Sequence, residues 1–279
     1  YTMREMIEID GAYGEGGGAI VRVGLALSVL SGVGVKFSSI RAGRPTPGLK
    51  AQHLTVIKAL KEMCSAKTND VELGVEEFWF VPEKMRKGTY SFDIGTAGSI
   101  SLFLQGVLLP AMFATGKVTL NIKGGTCGKW QASVDYIQNL LFPQLRRFVD
   151  KLELKVLKRG YYPKGGGEVV VEVSPRFNLT KYESLGSLLE ELSAKLCKIK
   201  LVEQGKLQQV RGVVNVSSEL VAAEVGERIQ RAASAGFEVP VNVRVDYAKT
   251  LNVGGEVLLW GVFGEGGVDF DNPVLIGSS

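Results

Sequence analysis

The sequence predicts an α/β protein built on a duplicated β-α-β-α-β-β unit and followed by a smaller α/β module. Three observations carry this expectation. The same order of elements runs twice between Ile7 and Pro175, at a period of roughly 80 residues, which suits a duplicated supersecondary unit. Each copy opens with a Gly-rich turn that runs into an apolar helix, Gly11–Gly18 in the first and Gly95–Gly98 in the second. After Pro175 the repeat stops and the texture of the sequence changes.

In the first copy, Ile7–Asp10 reads as a strand and Ala19–Leu30 as a helix, with Ile20, Val23, Leu27 and Leu30 spaced to form one buried face. Gly34–Arg41 follows as a strand, Gly43–Gly48 as a loop carrying Pro45 and Pro47, and Leu49–Met63 as a second amphipathic helix. Val71–Leu73 and Phe78–Val81 close the unit as short strands. In the second copy, Tyr90–Ile94 is a strand, Ser99–Phe113 a helix, Val118–Ile122 a strand, Gly124–Gln131 a loop and Ala132–Phe148 a helix. Leu152–Leu157 and Val169–Val173 alternate apolar and polar residues as a closing strand pair. Between them lies Arg159–Gly167, with three consecutive glycines that suit a tight turn, positive φ or a close backbone approach. Beyond Pro175, Leu185–Cys197 and Glu219–Ala233 read as helices, and Gln208–Ser217, Val239–Asp246 and Glu256–Phe263 as strands, with Gly264–Gly267 a loop. The expected division is a body of two repeats, residues 7–87 and 88–176, and a separate module at 177–279.

Composition narrows the chemistry. The 279 residues suffice for one large or two moderate domains. No apolar run reaches the ~20 residues of a membrane span, and Tyr1–Met6 does not read as a signal peptide. Cys64, Cys127 and Cys197 are scattered and odd in number, which argues for a reducing, cytoplasmic setting and against structural zinc. A net charge of +4 is mild, so an anionic partner must be met by a local patch. His53 is the one histidine, and it shares the stripe of Leu49, Val56 and Ile57, which favours a half-buried structural role.

The candidate site lies in the first copy. A Gly-rich turn entering a helix presents backbone N–H groups and the positive dipole end to an anion. Glu15 in that turn reads either as a Mg²⁺ ligand or as an acid stabilising its own helix. Arg22, Arg41, Arg44 and Lys50 surround two Gly/Pro-rich loops, a set that suits a triphosphate or an RNA terminus, or else a solvated basic face. No Gly-Lys-Ser/Thr makes a phosphate loop of the Walker type, and no acid ends the next strand to complete a dinucleotide fingerprint. Cys127 has no base beside it in sequence and reads better as a small residue than as a nucleophile.

Five blocks in order, Asp10-Gly-Ala-Tyr-Gly-Glu-Gly-Gly-Gly18, Ile40-Arg-Ala-Gly-Arg-Pro-Thr-Pro-Gly-Leu49, Gln52-His53-Leu54, Ile94-Gly-Thr-Ala-Gly-Ser99 and Arg159-Gly-Tyr-Tyr-Pro-Lys-Gly-Gly-Gly167, resemble the RNA 3'-terminal phosphate cyclase family. The resemblance implies three repeated units, each a four-stranded sheet with two helices, interrupted by a small insert, here Phe177 onward. It implies ATP- and Mg²⁺-dependent conversion of an RNA 3'-phosphate to a 2',3'-cyclic phosphate through an adenylylated histidine and an RNA-adenylate. Carried over by motif, Glu15 is the metal-site carboxylate, Arg22, Arg41 and Arg44 the phosphate clamp, Gln52 a further contact and Gln105 part of the nucleotide pocket. Arg159 and Lys164 stand as further phosphate contacts. The family nucleophile falls in a third repeat beyond Ser279, as do an aromatic and an Asp of the adenine site, so this chain is expected not to self-adenylylate. The loop Cys127–Ala132 also departs from the family pattern, and Trp130 offers a substitute stacking face. The alternatives are a non-catalytic cyclase-like ribosome-assembly factor and, more distantly, an enolpyruvyl-transferase-like enzyme.

Overall fold

A computed structural model describes residues 6–95, 97–129, 131–196 and 205–264, with the backbone of 274–278. Trp130, Cys197, Ser279 and most of the loop expected at Gly264–Gly267 lie outside the described residues. The first sheet contains β1 (Ile7–Asp10), β2 (Val35–Ser38), β3 (Lys67–Thr68) and β4 (Phe78–Val81) in the order β1-β2-β4-β3. The second contains β5 (Gly88–Asp93), β6 (Val118–Gly124), β7 (Val149–Lys158) and β8 (Gly167–Pro175) in the order β5-β6-β8-β7. In each, the first two strands pair in parallel and the remaining pairs are antiparallel. A parallel pair needs a crossover, supplied by α1 (Gly18–Ser31) in the first unit and α3 (Ile100–Ala111) in the second. The sequence repeat is therefore a repeat of topology.

Helix α1 packs on α3, and α2 (Ala51–Cys64) packs on both. The predicted face of α1 holds at Leu30, which is buried, and fails at Val23 and Leu27. Val21, Leu25 and Val29 are buried, whereas Val23 and Leu27 are each 49% exposed. This helix is apolar nearly all round, so periodicity cannot select a face; contact with Phe37 beside Gly24 and with α3 does.

Other boundaries shift for local reasons. The expected strand at Gly34–Arg41 ends at Ser38, because Ser39 and Arg41 take positive φ and turn the chain into the next loop. Lys67–Thr68 takes the edge of the first sheet in place of Val71–Leu73. The helix expected at Ala132–Phe148 breaks into α4 (Val134–Tyr136), a π turn at Ile137–Leu141, α5 (Phe142–Leu145) and a 3₁₀ turn at Arg146–Phe148. Pro143 has no N–H to continue an α ladder, and the wider turn absorbs the missing donor.

One apolar core joins both repeats, from Leu25, Phe37 and Phe80 through Phe103 to Val171. Phe37 stacks on Phe78 with ring centroids 4.9 Å apart. Phe177 belongs to this core, and so does Leu188 of α6 (Leu185–Lys195). Packing to the body thus continues well past the compositional boundary at Pro175.

The third sheet has the order β10-β9-β11-β12, from β9 (Lys206–Ser217), β10 (Val241–Ala248), β11 (Gly255–Gly264) and β12 (Val274–Ser278). Alternation along β9 sends Val214 and Val216 toward α7 (Val225–Ala235) and Val213 to the other face. There Val213, Leu258, Trp260 and Val262 meet Leu140 of the body. No helix among the described residues is long and apolar enough to cross a membrane.

Truncating the stacked ring tests the shared core. Phe37→Ala is expected to destabilise the chain by about 3–5 kcal/mol, read as a lower denaturant midpoint in chemical unfolding.

Candidate functional site

The N-terminus of α1 begins at Gly18, with Gly17 as its cap and no side chain closing it. Its first N–H groups therefore form an open positive end. Arg22, one turn along, is buried and donates from Nε to Gln105 Oε1 of α3 at 3.0 Å. The loop after β2 brings Arg41, Arg44 and Lys50 to the same end. Arg41 Nη2 reaches Thr46 O at 3.4 Å, Lys50 Nζ reaches Pro47 O at 3.2 Å, and Arg44 Nη2 sits 3.7 Å from Glu15.

His53 completes the ring from α2. It is fully buried rather than half-buried, and its Nδ1 accepts the Lys50 backbone N–H at 3.0 Å. The neutral ring then carries its proton on Nε2. Burial, then the charges of Arg22, Arg41 and Lys50, lower its pKa to about 4. Gly18 is required here by space, since a Cβ at that position would collide with His53 Nε2. A Cβ at Gly17 would meet only Arg44 Nη2, at 3.5 Å.

Among the described residues, the buried Nε of Arg41, Nε of Arg44 and Nε2 of His53 have no protein partner. Three orphaned donors around a helix N-terminus suit an anionic oxygen ligand. The structure thus gathers Glu15, Arg22, Arg41, Arg44 and Gln105 at one place, with Gln52 half-buried beside His53 on α2. No group of three or more His, Cys, Asp or Glu side chains among the described residues is placed to hold a metal, and the Glu15 side chain, 95% exposed, has Arg44 as its neighbour.

Helices α1 and α3 run parallel. Arg22 and Gln105 link their N-terminal halves, while Leu30 and Pro110 from their C-terminal ends line one cavity of about 620 Å³. The Gly-rich loops of both repeats consequently open at the same end of the body. At the second, Ser99 bridges Gly125, and Thr126 bonds Gly160.

Here the structure corrects the reading of Arg159. It is no phosphate contact: its guanidinium is buried between Asp135 and Glu256, with Nη2 3.0 Å from Asp135 Oδ1 and Nη1 2.8 Å from Glu256 Oε1. Around it, Tyr161 Oη donates to Asn215 O at 3.2 Å and Lys164 N donates to Asn252 Oδ1 at 3.1 Å. A Cβ at Gly166 would strike Leu251. The glycine turn is therefore the seat on which the third sheet docks. Burial opposes the Asp135 charge, but hydrogen bonds and charge from Arg159 outweigh it and hold the carboxylate below its ordinary range. Glu256 receives the weaker share; burial, then the Asp135 charge, push it up to about 8. Burial and Glu256 also raise the Cys127 thiol, which excludes it as a ready nucleophile. Asp135, Glu256 and Asn215 were not legible as partners in the sequence, because up to 97 residues separate them from Arg159.

Fold and site together define a duplicated α/β protein whose first glycine loop is ringed by arginines from α1 and the loop after β2 and tied to the second repeat. A family model for RNA 3'-terminal phosphate cyclase matches residues 13–235. The chain is 39% identical to the RNA 3'-terminal phosphate cyclase of Methanopyrus kandleri, across 91% of this chain and 70% of that protein. Against the Archaeoglobus fulgidus protein of the same name it is 40% identical, across 91% and 72%. Against that of Ignicoccus hospitalis it is 42% identical, across 82% of this chain and 59% of the relative. The chain belongs to the RNA 3'-terminal phosphate cyclase family.

Two measurements test this geometry. Gly18→Ala is expected to destabilise by about 1–3 kcal/mol through overpacking on His53, whereas Gly17→Ala leaves the thermal midpoint nearly unchanged. Glu256, protonated when folded and ionised when unfolded, adds stability that is present at low pH and lost as pH rises toward about 8. His53 works the other way, its lowered pKa adding stability as pH rises through 6.5, so the loss from Glu256 stands nearly alone only from about pH 7.5 to about pH 8, with a slope of about 1 kcal/mol per pH unit. Glu256→Gln should flatten that slope in denaturant titrations.

Proposed function

We propose that the chain binds ATP and the 3'-phosphate end of an RNA, and serves the ATP-dependent conversion of that end to a 2',3'-cyclic phosphate. The observation that carries this reading is the set of unpartnered buried donors, Arg41 Nε, Arg44 Nε and His53 Nε2, at the open N-terminus of α1. The names of the related proteins supply the substrate class. When bound, ATP supplies an activated phosphoanhydride and Mg²⁺ neutralises phosphate charge.

The protein side of the arrangement is positioning. Arg41 and Arg44 grip phosphate oxygens, since guanidinium offers paired donors. Gln105 holds Arg22 toward the same loop through its 3.0 Å hydrogen bond. His53 acts as a neutral donor and not as a base, because its Nδ1 is occupied and its pKa is lowered. Glu15 is a single exposed carboxylate, the donor set Mg²⁺ accepts when substrate phosphates complete its shell. The free thiols of Cys64 and Cys127 suit a reducing, cytoplasmic setting.

The His53 ring is enclosed against Gly18 with its Nδ1 occupied, which also favours a second reading, in which this site binds phosphate without covalent chemistry at His53. Incubation with α-labelled ATP and Mg²⁺ is expected to leave no covalent AMP on this chain; a stable adduct would overturn that expectation. For the binding reading, fluorescence anisotropy should show tighter binding of an RNA ending in 3'-phosphate than of its 3'-hydroxyl counterpart. Arg41→Ala and Arg44→Ala should each weaken it by about 2 kcal/mol, roughly thirtyfold in Kd. Equal affinity for the two RNA ends would sink the proposal.

A further inference from the structure

A groove of about 570 Å³ separates the second and third sheets. Its walls are two edge strands: β7 contributes Lys158, and β10 contributes Arg244 and Asp246, with Lys249 just beyond. Its floor is polar. Asn215 is 2% exposed and donates from Nδ2 to Glu256 Oε1 at 3.1 Å, yet its Oδ1 is buried without a partner among the described residues. A buried acceptor left open is destabilising, so this one calls for a donor from the groove.

The rim is cationic. Lys158 has one ion pair, to Glu168 at 2.8 Å, and Arg244 commits Nε to Asp246 at 2.7 Å. Lys249 is exposed, with no ion pair among the described residues. Arg159 behind the floor is already neutralised by Asp135. The surplus of charge is therefore positive and sits on side chains that still have donors to offer.

We propose that this groove holds single-stranded RNA upstream of the reactive end, with phosphates on Lys158, Arg244 and Lys249 and a ribose hydroxyl donating to Asn215 Oδ1. The proposal rests on the cyclase reading for its choice of RNA. Placement supports it, because Arg159 follows β7 at the end of the body where the arginine-ringed loop also opens. Charge and floor chemistry match a sugar–phosphate chain, which supplies an anion and a hydroxyl donor at every nucleotide. An extended peptide added to either edge strand would bind through main-chain hydrogen bonds, with little response to salt or to Lys249.

The test is anisotropy with 3'-phosphate RNAs of about 4 to about 12 nucleotides at several salt concentrations. The unaltered chain should bind the longer RNAs more tightly. Lys158→Gln with Lys249→Gln should remove most of that gain, about tenfold, and make the salt slope shallower by about 0.7 for each cation lost. The shortest RNA should be unaffected. Lys67→Gln together with Lys58→Gln, on exposed positions of β3 and α2, matches the change in net charge and should leave the gain intact. Persistence of the length gain in the groove variant, or an equal loss in the control, overturns the proposal. Preference for a 3'-phosphate over a 3'-hydroxyl is read separately on the shortest RNA. If that preference is absent while the groove variant still loses the length gain, the cyclase reading falls and the groove stands.

Discussion

A guanidinium enclosed by two acid side chains, Asp135 ionised and Glu256 protonated, fixes how the third sheet sits on the body. Burying such a group costs several kcal/mol per ion, and only near-complete pairing offsets it. Arg159 meets that demand with Asp135 from the broken helix and Glu256 from β11, while Tyr161 and Lys164 add hydrogen bonds from the same turn. The contribution is chiefly to register. A docked sheet displaced by one residue would leave the charge unpaired, whereas the apolar contact of Leu140 with Val213 and Trp260 tolerates sliding more readily.

The same economy of partners explains the arginine-ringed loop by contrast. There the donors are present and, among the described residues, the acceptors are not: α1 has no side-chain cap, and three buried N–H groups nearby lack protein partners. One cation cluster is closed by the protein itself; the other is left for something negative to close. Arg22 extends this arrangement across the repeats, because its orientation is set by Gln105 of the second unit.

Much of this was legible in sequence. The duplicated order, the glycine turns and the grouping of Arg22, Arg41 and Arg44 follow from local pattern, and the two sheets repeat one topology as the pattern required. What could not be read depends on contacts between distant segments. Val23 and Leu27 have the right spacing for a core face, but α1 is apolar on every side and its neighbours decide which residues stay outside. Pro143 signals a break in the helix without showing that a π turn would bridge it. Arg159 looks like any basic loop residue until the fold brings Glu256 to it.

The distribution of apolar packing has a further consequence. Both repeats share one continuous core, whereas the third sheet has two small clusters, around Val214 and around Trp260, and meets the body through the second of these at Leu140 and through the polar contact of Arg159. The molecule is thus divided into units of unequal cooperativity. On that distribution the central amides of the body are expected to exchange with solvent through larger openings than those of the third sheet. A ligand spanning the groove between them would fuse the two into a single cooperative unit, and would register as protection reaching through the third sheet to β11, which does not line the groove.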